Sequence, residues 1–313
     1  MVLGTRGSKL ALCQSEWFQS KVQEVAPEVR VLLRKIQTSG DKIVDVPLAK
    51  IGGKGLFVKE IEDALLAGEI DFAVHSLKDL QTEQPEGLTI GAVCERELPN
   101  DVLISKKFSN MTNLPPGASV ATGSLRRRSQ LLNIRPDLSI VEIRGNVPTR
   151  LEKYLRSDLD GMILAYAGIH RLQLNSDMCH LIPIDTMLPA VGQGAVAVEV
   201  RQGDKQMLEM ASALDHKVTR SCVTAEREFL RQLEGGCQVP IGAIASVEGE
   251  MIRLEGMVSS LDGSVIYRKA IEGKCEEADQ VGRDLAQTLI GLGAERLLEE
   301  ARGATGGTAG APL

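Results

Sequence analysis

Twice along this chain, short apolar runs alternate with stretches whose apolar residues recur at helical spacing, and that alternation limits the fold more than any other feature. In the first series residues 2–5 read as a strand, and Ser8 caps a helix to about Val25 with Phe18, Val22 and Val25 on one face. Residues 29–36 form a second strand. Phe57, Ile61 and Leu65 place a helix that ends near Gly68, and strands follow at 70–75 and 88–94. The second series has strands at 102–104 and 119–122, a helix from Leu125, a strand at 139–143, a helix from Val147 and a strand at 161–165. Such alternation predicts βαβ units with parallel strands.

The segment ERELPN, residues 95–100, is short and proline-bearing, as a hinge would be. LPAVGQG, residues 188–194, is a second hinge, after which AVAVEV returns to the first sheet. The chain thus divides into one lobe of residues 1–94 with 195–212 and another of residues 100–188. Two α/β lobes joined by two crossing segments enclose a cleft, with ligands expected at the carboxyl ends of the strands. From about Val218 the pattern changes to a helix reaching Leu233, three strands near 241–247, 252–258 and 265–271, and one helix over about 277–301. Gly249 and Asp262–Gly263 supply turn signals. Residues 217–303 are expected to form a small α+β domain, and 304–313 a tail too poor in packing residues to order. Trp17 is expected to pack on the first sheet.

Composition removes several functions. A net charge of −6, with one Trp, three Tyr and five Phe, does not suit a nucleic-acid surface. No apolar run reaches about 18 residues, so no membrane span is expected. The start MVLGTRGSKLALCQSE lacks the charged-then-apolar order of a secretory leader, which makes a cytoplasmic address the expectation. The six cysteines include no CxxC pair and the four histidines no HExxH, so neither a metal site nor a disulfide framework is expected. Cys13, Cys94 and Cys222 lie in apolar runs and read as core. Cys179 and Cys275 read as surface thiols, and His75 as a structural histidine at the end of a buried strand.

Chemistry shows where local rules are broken. Arg126, Arg127 and Arg128 occupy the first turn of a helix, although a helix N-terminus already carries roughly +0.5 charge. Together with Thr122, Ser124 and free backbone N–H groups they form either an anion receptor or a solvated basic face. Arg144 ends a strand and Arg150 lies in the next helix's first turns, while Arg6 and Ser8 hold the equivalent strand-to-helix turn of the first lobe. An acidic chain that gathers arginines at strand ends focuses positive potential locally, which suits a ligand with several carboxylates. LAKIGGKGLFVKE misses the phosphate-loop spacing and reads as a lysine-bearing lid. In HSLKDL, Lys78 and Asp79 form either a surface ion pair or a proton-handling pair at the ligand edge. Cys237, in LEGGCQVP, follows two glycines at a helix stop, where packing, ligation, nucleophilic and anchoring roles all remain open.

The ordered set GTRGSKLAL, KIGGKGLFVKEIEDALL, HSLKD, GSLRRRSQL, IRGNVPTR, LPAVGQGA and LEGGCQVPIGA resembles the porphobilinogen deaminase (hydroxymethylbilane synthase) family over residues 1 to about 300. The resemblance implies an α/β fold of two periplasmic-binding-protein-like lobes of mixed βαβ sheet plus a small α+β C-terminal domain. It implies that Cys237 anchors a dipyrromethane cofactor through a thioether, its glycines serving both as pliable root and as helix C-cap. It implies a transferase of tetrapyrrole biosynthesis, in which porphobilinogen is deaminated and four units are condensed head to tail onto that primer. Hydrolysis then frees the linear tetrapyrrole. Asp79 is implied as the catalytic carboxylate. Ser8, Lys78, Thr122, Ser124, Arg126, Arg127 and Arg144 are implied to hold the cofactor, and Arg6, Gln14, Lys54, Arg150 and Arg171 the substrate. Arg128 is expected to face solvent. The partners implied are porphobilinogen and the growing polypyrrole, handled by a monomer.

This chain departs from the family's usual residues at Gly123, Gln81, Pro148 and His170, none of which removes an expected catalytic group. Two rival classes remain. A non-catalytic anion-binding protein would need no third-domain cysteine. A cysteine-nucleophile acyl transferase would need a histidine partner that no motif supplies.

Overall fold

The computed structural model describes residues 1–42, 57–174, 176–234 and 239–306. The first lobe opens with β1 (Val2–Arg6), α1 (Lys9–Val25), β2 (Leu32–Ile36), α2 (Ser39–Lys42), α3 (Lys59–Leu66), β3 (Phe72–Ser76) and β4 (Leu88–Val93). The second holds β5 (Asp101–Ile104), β6 (Ser119–Ala121), α4 (Leu125–Ile134), β7 (Ser139–Val141), α5 (Val147–Leu155), β8 (Gly161–Ala165), α6 (Tyr166–Arg171) and β9 (Cys179–Leu181). The chain then returns through β10 (Val196–Arg201) and α7 (Lys205–Ser212). It ends with α8 (Lys217–Gln232), β11 (Ile241–Glu248), β12 (Met251–Ser259), β13 (Ile266–Lys274), α9 (Ala278–Gly291) and α10 (Ala294–Gly306).

The two five-stranded sheets share one design, in the orders β2-β1-β3-β10-β4 and β7-β6-β8-β5-β9. In each, a central strand pairs in parallel with two neighbours: β1 with β2 and β3, β6 with β7 and β8. The sheets are not parallel throughout. β10 and β5, each entered from a crossing segment, run antiparallel to both of their neighbours. The correspondence makes the turns after β1 and β6 equivalent, and those turns carry Arg6–Ser8 and Thr122–Ser124.

Ser8 caps α1, its hydroxyl accepting from the Ala11 N–H at 3.3 Å. The buried face of α1 is Gln14, Ser15, Phe18 and Val22, with Phe18 meeting Phe72 edge-on at 5.6 Å. Burying such a side chain stabilises by about 1.5–3 kcal/mol. One position back from Phe18, Trp17 is rotated about 100° around the helix and lies 37% exposed instead of packing on the sheet. Val25 is likewise exposed, and Ala26 takes the buried place beside it.

The third sheet, β11-β12-β13, is an antiparallel meander under α8, α9 and α10. The single helix expected over 277–301 is two, because Gly293 adopts φ 102° between them. The second of the two continues to Gly306, past the boundary expected at 303. Residues 307–313 lie outside the described residues. Cys179 and Cys275 are half-buried against the second-lobe and third-domain cores, not surface thiols.

The third domain fastens to both lobes. Glu226 of α8 is fully buried and pairs with Arg96 at 2.6 and 3.1 Å while accepting from the N–H groups of Gly192 and Ala245. One carboxylate thus ties both crossing segments to α8. On the other side the β12–β13 turn abuts α4, with Ser259 Oγ donating to Ser129 Oγ at 2.7 Å and Asn133 donating to the Gly263 carbonyl at 2.8 Å. The approach requires glycine, since a Cβ at Gly263 would lie 2.2 Å from the Ser129 main-chain carbonyl oxygen.

Candidate functional site

β3 ends at Ser76, and one 3-10 turn, Leu77–Asp79, carries the chain to the mouth of the cleft. Leu77 is buried and pins the turn, which the Leu80 N–H closes onto the Leu77 carbonyl at 3.1 Å. Asp79 is consequently exposed while Lys78 is turned inward, its Nζ 3.4 Å from Gln193 Oε1. Burial pulls Lys78 down to about 8, with Arg127 and Arg126 adding to the effect and Asp79 and Asp101 opposing it.

Across the cleft, α4 delivers Arg126 and Arg127 to Asp101, the first residue of β5. Arg126 donates to Asp101 at 2.8 Å and to the Leu188 carbonyl at 2.6 Å; Arg127 makes two bonds to the same carboxylate, at 3.1 and 2.8 Å. Gln193 donates to it as well, at 2.9 Å. Asp101 is fully buried, and the two guanidinium groups hold it well below the usual carboxylate range against the cost of its burial. Arg128, next in the run, is exposed as expected.

A small cavity of about 80 Å³ lies between the lobes, lined among others by Gln14, Lys78, Arg127, Arg150 and Arg171. These five come from different elements of both lobes, and the sequence reading named all of them. Gln14 and Ser76 exchange hydrogen bonds at 2.9 and 3.2 Å. Arg150 donates to the Gly145 carbonyl at 2.6 Å, and burial beside Arg127 and Arg144 pulls it down to about 10. Arg171 donates to the Gly194 carbonyl at 2.7 Å and is also lowered, chiefly by burial. Among the described residues neither Lys78 nor Arg150 has a carboxylate at ion-pair distance.

The other named residues have other engagements. Arg126 is committed to Asp101 and Leu188, and does not line the cavity. Arg144 pairs with Glu142. Arg6 stacks over the Phe57 ring at 4.2 Å. Ser8 caps α1, and Thr122 Oγ1 accepts from the Ser124 N–H at 3.3 Å. Ser124 starts α4 without a side-chain capping bond, which leaves its hydroxyl for another partner. Lys54 and Cys237 lie outside the described residues. The C-cap before Cys237 differs from expectation: it is Glu234, at φ 47°, that turns left-handed after α8, not a glycine. Its N–H reaches the Arg231 carbonyl at 2.9 Å.

Asp101 and Gln193 were missed in the sequence. Their signal was faint: a carboxylate opening the apolar strand DVLI, and an amide inside the second hinge, LPAVGQG.

The fold and cleft define a class, a two-lobed α/β architecture with a third α+β domain clamped to its hinges. Two family models match the chain, porphobilinogen deaminase, dipyromethane cofactor binding domain, over residues 1–209, and porphobilinogen deaminase, C-terminal domain, over residues 220–291. The chain belongs to the porphobilinogen deaminase family. It is 50% identical to the porphobilinogen deaminase of Pelotomaculum thermopropionicum over 302 residues, covering 96% of this chain and 97% of the relative. Identity is 49% with that of Carboxydothermus hydrogenoformans, at the same coverage, and 47% over 306 residues with that of Chloroherpeton thalassium, covering 96% and 98%. Among solved structures, the substrate binding domain of a putative molybdenum ABC transporter from Clostridium difficile gives a TM-score of 0.43 at 11% identity, covering 72% of this chain and 96% of that one.

The cleft suits a dipyrromethane with its carboxylate side chains. Among the described residues Lys78 and Arg150 are half-buried cations without carboxylate partners, and both are pulled down chiefly by desolvation, which Asp79 opposes only in part. A polycarboxylate placed there supplies that charge.

Proposed function

We propose that this chain condenses four porphobilinogen molecules head to tail on a dipyrromethane attached to Cys237, releasing ammonia and then, by hydrolysis, hydroxymethylbilane. When bound, the dipyrromethane supplies a nucleophilic pyrrole carbon and a covalent root. The protein's own groups do the rest. Asp79 stands at the mouth beside Lys78 and within electrostatic reach of Arg150. There its carboxylate accepts pyrrole N–H groups and stabilises the positive charge that develops on substrate as ammonia departs; protonated, it assists that departure. Lys78, Arg127 and Ser124 hold acetate and propionate groups of the primer. Arg150, Arg171 and Gln14 hold those of the incoming pyrrole, with Lys54, Arg6, Arg144, Ser8 and Thr122 completing the set. Arg126 acts through Asp101, keeping Arg127 directed into the cavity.

The observation that carries this reading is the pair of cavity-lining cations, Lys78 and Arg150, without carboxylate partners among the described residues, near an exposed carboxylate in a chain of this family. On the same reading the enzyme works as a monomer in the cytoplasm, without nucleic acid or membrane. Intact-protein mass under denaturing conditions tests it: an excess of two pyrrole units is expected, lost in Cys237→Ser. An unmodified mass together with no consumption of porphobilinogen would refute it.

A further inference from the structure

Helix α8 reaches the site from behind. Arg227, on its inner side, donates to the carbonyls of Gln81 at 2.6 Å and Thr82 at 3.0 Å, and lies 3.5 Å from that of Leu80. Those are the three residues directly after Asp79. The guanidinium's fork of N–H groups reaches all three carbonyls, which the two N–H groups of a side-chain amide cannot, but at the cost of carrying charge out of water. Burial indeed pulls Arg227 down to about 10, and the one opposing influence on it is Glu199.

Glu199 sits on β10, opposite Ala73 of β3, and is fully buried. One of its oxygens is 3.1 Å from His75 Nε2, and the other has no hydrogen-bond partner among the described residues. The guanidinium is therefore held by three main-chain carbonyls, with Glu199 near enough to attract it but not at ion-pair distance. One helical turn further on, Arg231 lies 3.7 Å from Glu83, so α8 follows the whole segment from Leu80 to Glu83. The same helix then ends at Leu233 and Glu234, whose carbonyls accept from Arg302 of α10 at 2.9 and 3.4 Å. Three residues later comes Cys237.

We propose that Arg227 is a positioning residue, clamping the main chain of Leu80–Thr82 to α8 so that the Asp79 carboxylate keeps a fixed relation to the helix that precedes Cys237 in the chain. The clamp rests on the roles given above to Asp79 and Cys237. It acts on neither substrate nor cofactor directly, so its loss alters the rate of condensation and not the capture of ligands.

The experiment uses the full-length enzyme with its cofactor attached, as wild type, Arg227→Gln, Arg227→Lys and Arg227→Gly. Porphobilinogen consumption, intact mass and thermal unfolding are measured on each. Expected for Arg227→Gln are an unchanged two-pyrrole mass excess, KM within about twofold, and kcat lower on the order of tenfold to a hundredfold, the scale of a small misplacement of a reacting group. Arg227→Lys recovers part of kcat. Arg227→Gly regains rate on addition of guanidinium well below denaturing concentrations, and not with sodium chloride at equal ionic strength. Wild-type kcat in Arg227→Gln overturns the clamp. So does a loss that tracks a missing mass excess or a lowered unfolding temperature and that neither lysine nor guanidinium repairs. A wild type that carries the pyrroles yet consumes no porphobilinogen overturns the functional reading itself, and the clamp with it.

Discussion

Two groups of cations border the cleft, and they are held in opposite ways. On α4, Arg126 and Arg127 close on one carboxylate, Asp101, with a main-chain carbonyl added for each. Lys78 and Arg150 have an amide and a carbonyl, and no carboxylate at ion-pair distance among the described residues. The first group is finished in the sense that it already has its counter-charge, although Arg127 also lines the cavity; on the reading proposed above, the second is a receptor. Burial depresses Arg126 as it does Arg150, yet Asp101 offsets the cost through direct bonds to Arg126, whereas Arg150 has only the attraction of Asp79 from beyond ion-pair distance. A buried cation identifies a binding site only when the protein leaves it without its counter-charge.

The strongest test of that contrast removes the counter-charge from the finished group. Asp101→Asn leaves two guanidinium groups buried without their anion, and is expected to cost about 3–5 kcal/mol in unfolding free energy, read from denaturant titration. A loss below about 1 kcal/mol would mean the pair is no more anchored than the receptor. Arg150→Met makes the complementary cut. Removing a half-buried cation that has no carboxylate partner among the described residues is expected to leave unfolding free energy unchanged or raised. Porphobilinogen turnover falls roughly tenfold to a hundredfold, the equivalent of one charge-assisted bond of about 1.5–3 kcal/mol. Loss of stability and turnover together would move Arg150 into the structural group.

The sequence could show which residues crowd the cleft, because strand ends and helix starts are local features. Arg6, Ser8, Thr122, Ser124, Arg144 and Arg150 all fall at such junctions, and the apolar runs fixed nearly every strand. What it could not show is which arginine meets an acid. Asp101 lies 25 residues before Arg126, and only the sheet order brings β5 beside α4. The same holds for Arg227, whose carbonyl partners are about 146 positions away. Element ends were misjudged where one residue's geometry decided them: Gly293 splits a helix that periodicity runs together, and Glu234 makes a left-handed turn that composition assigns to glycine. Trp17 was misplaced for another reason, since hydrophobicity alone does not distinguish the inward position from its neighbour.

The pH dependence of Lys78 sharpens the contrast on a smaller scale. Burial holds this ammonium down at about 8, against an ordinary value of 10.5. Between those values the unfolded chain keeps a proton that the folded chain has lost, so the stability of Cys237→Ser protein is expected to rise as pH climbs from about 8 to 10.5. Bound carboxylates restore the charge. Affinity of the same variant for a polycarboxylate pyrrole should therefore fall above about pH 8, by at most about tenfold per pH unit. Lys78→Met removes both slopes, and a slope that survives that change belongs to another group.

The smallest expected effect belongs to Arg128, which shares a helical turn with the finished pair. Successive residues of an α-helix are rotated by about 100°, so a run of three arginines cannot aim all its charge at one acid. Arg126 and Arg127 fall on the Asp101 side of α4; Arg128 falls on the solvent side and is exposed. In water its charge is screened, and its position at a helix N-terminus is slightly unfavourable. Arg128→Ala is accordingly expected to change unfolding free energy by no more than about 0.5 kcal/mol and to leave turnover as it was. Denaturation curves beside those of Arg126→Ala and Arg127→Ala give the comparison directly, because all three remove the same charge from one helical turn. A marked loss of turnover in Arg128→Ala would show that exposure is no guide to which arginines the ligand meets, and the division into finished and receiving cations would have to be redrawn around it.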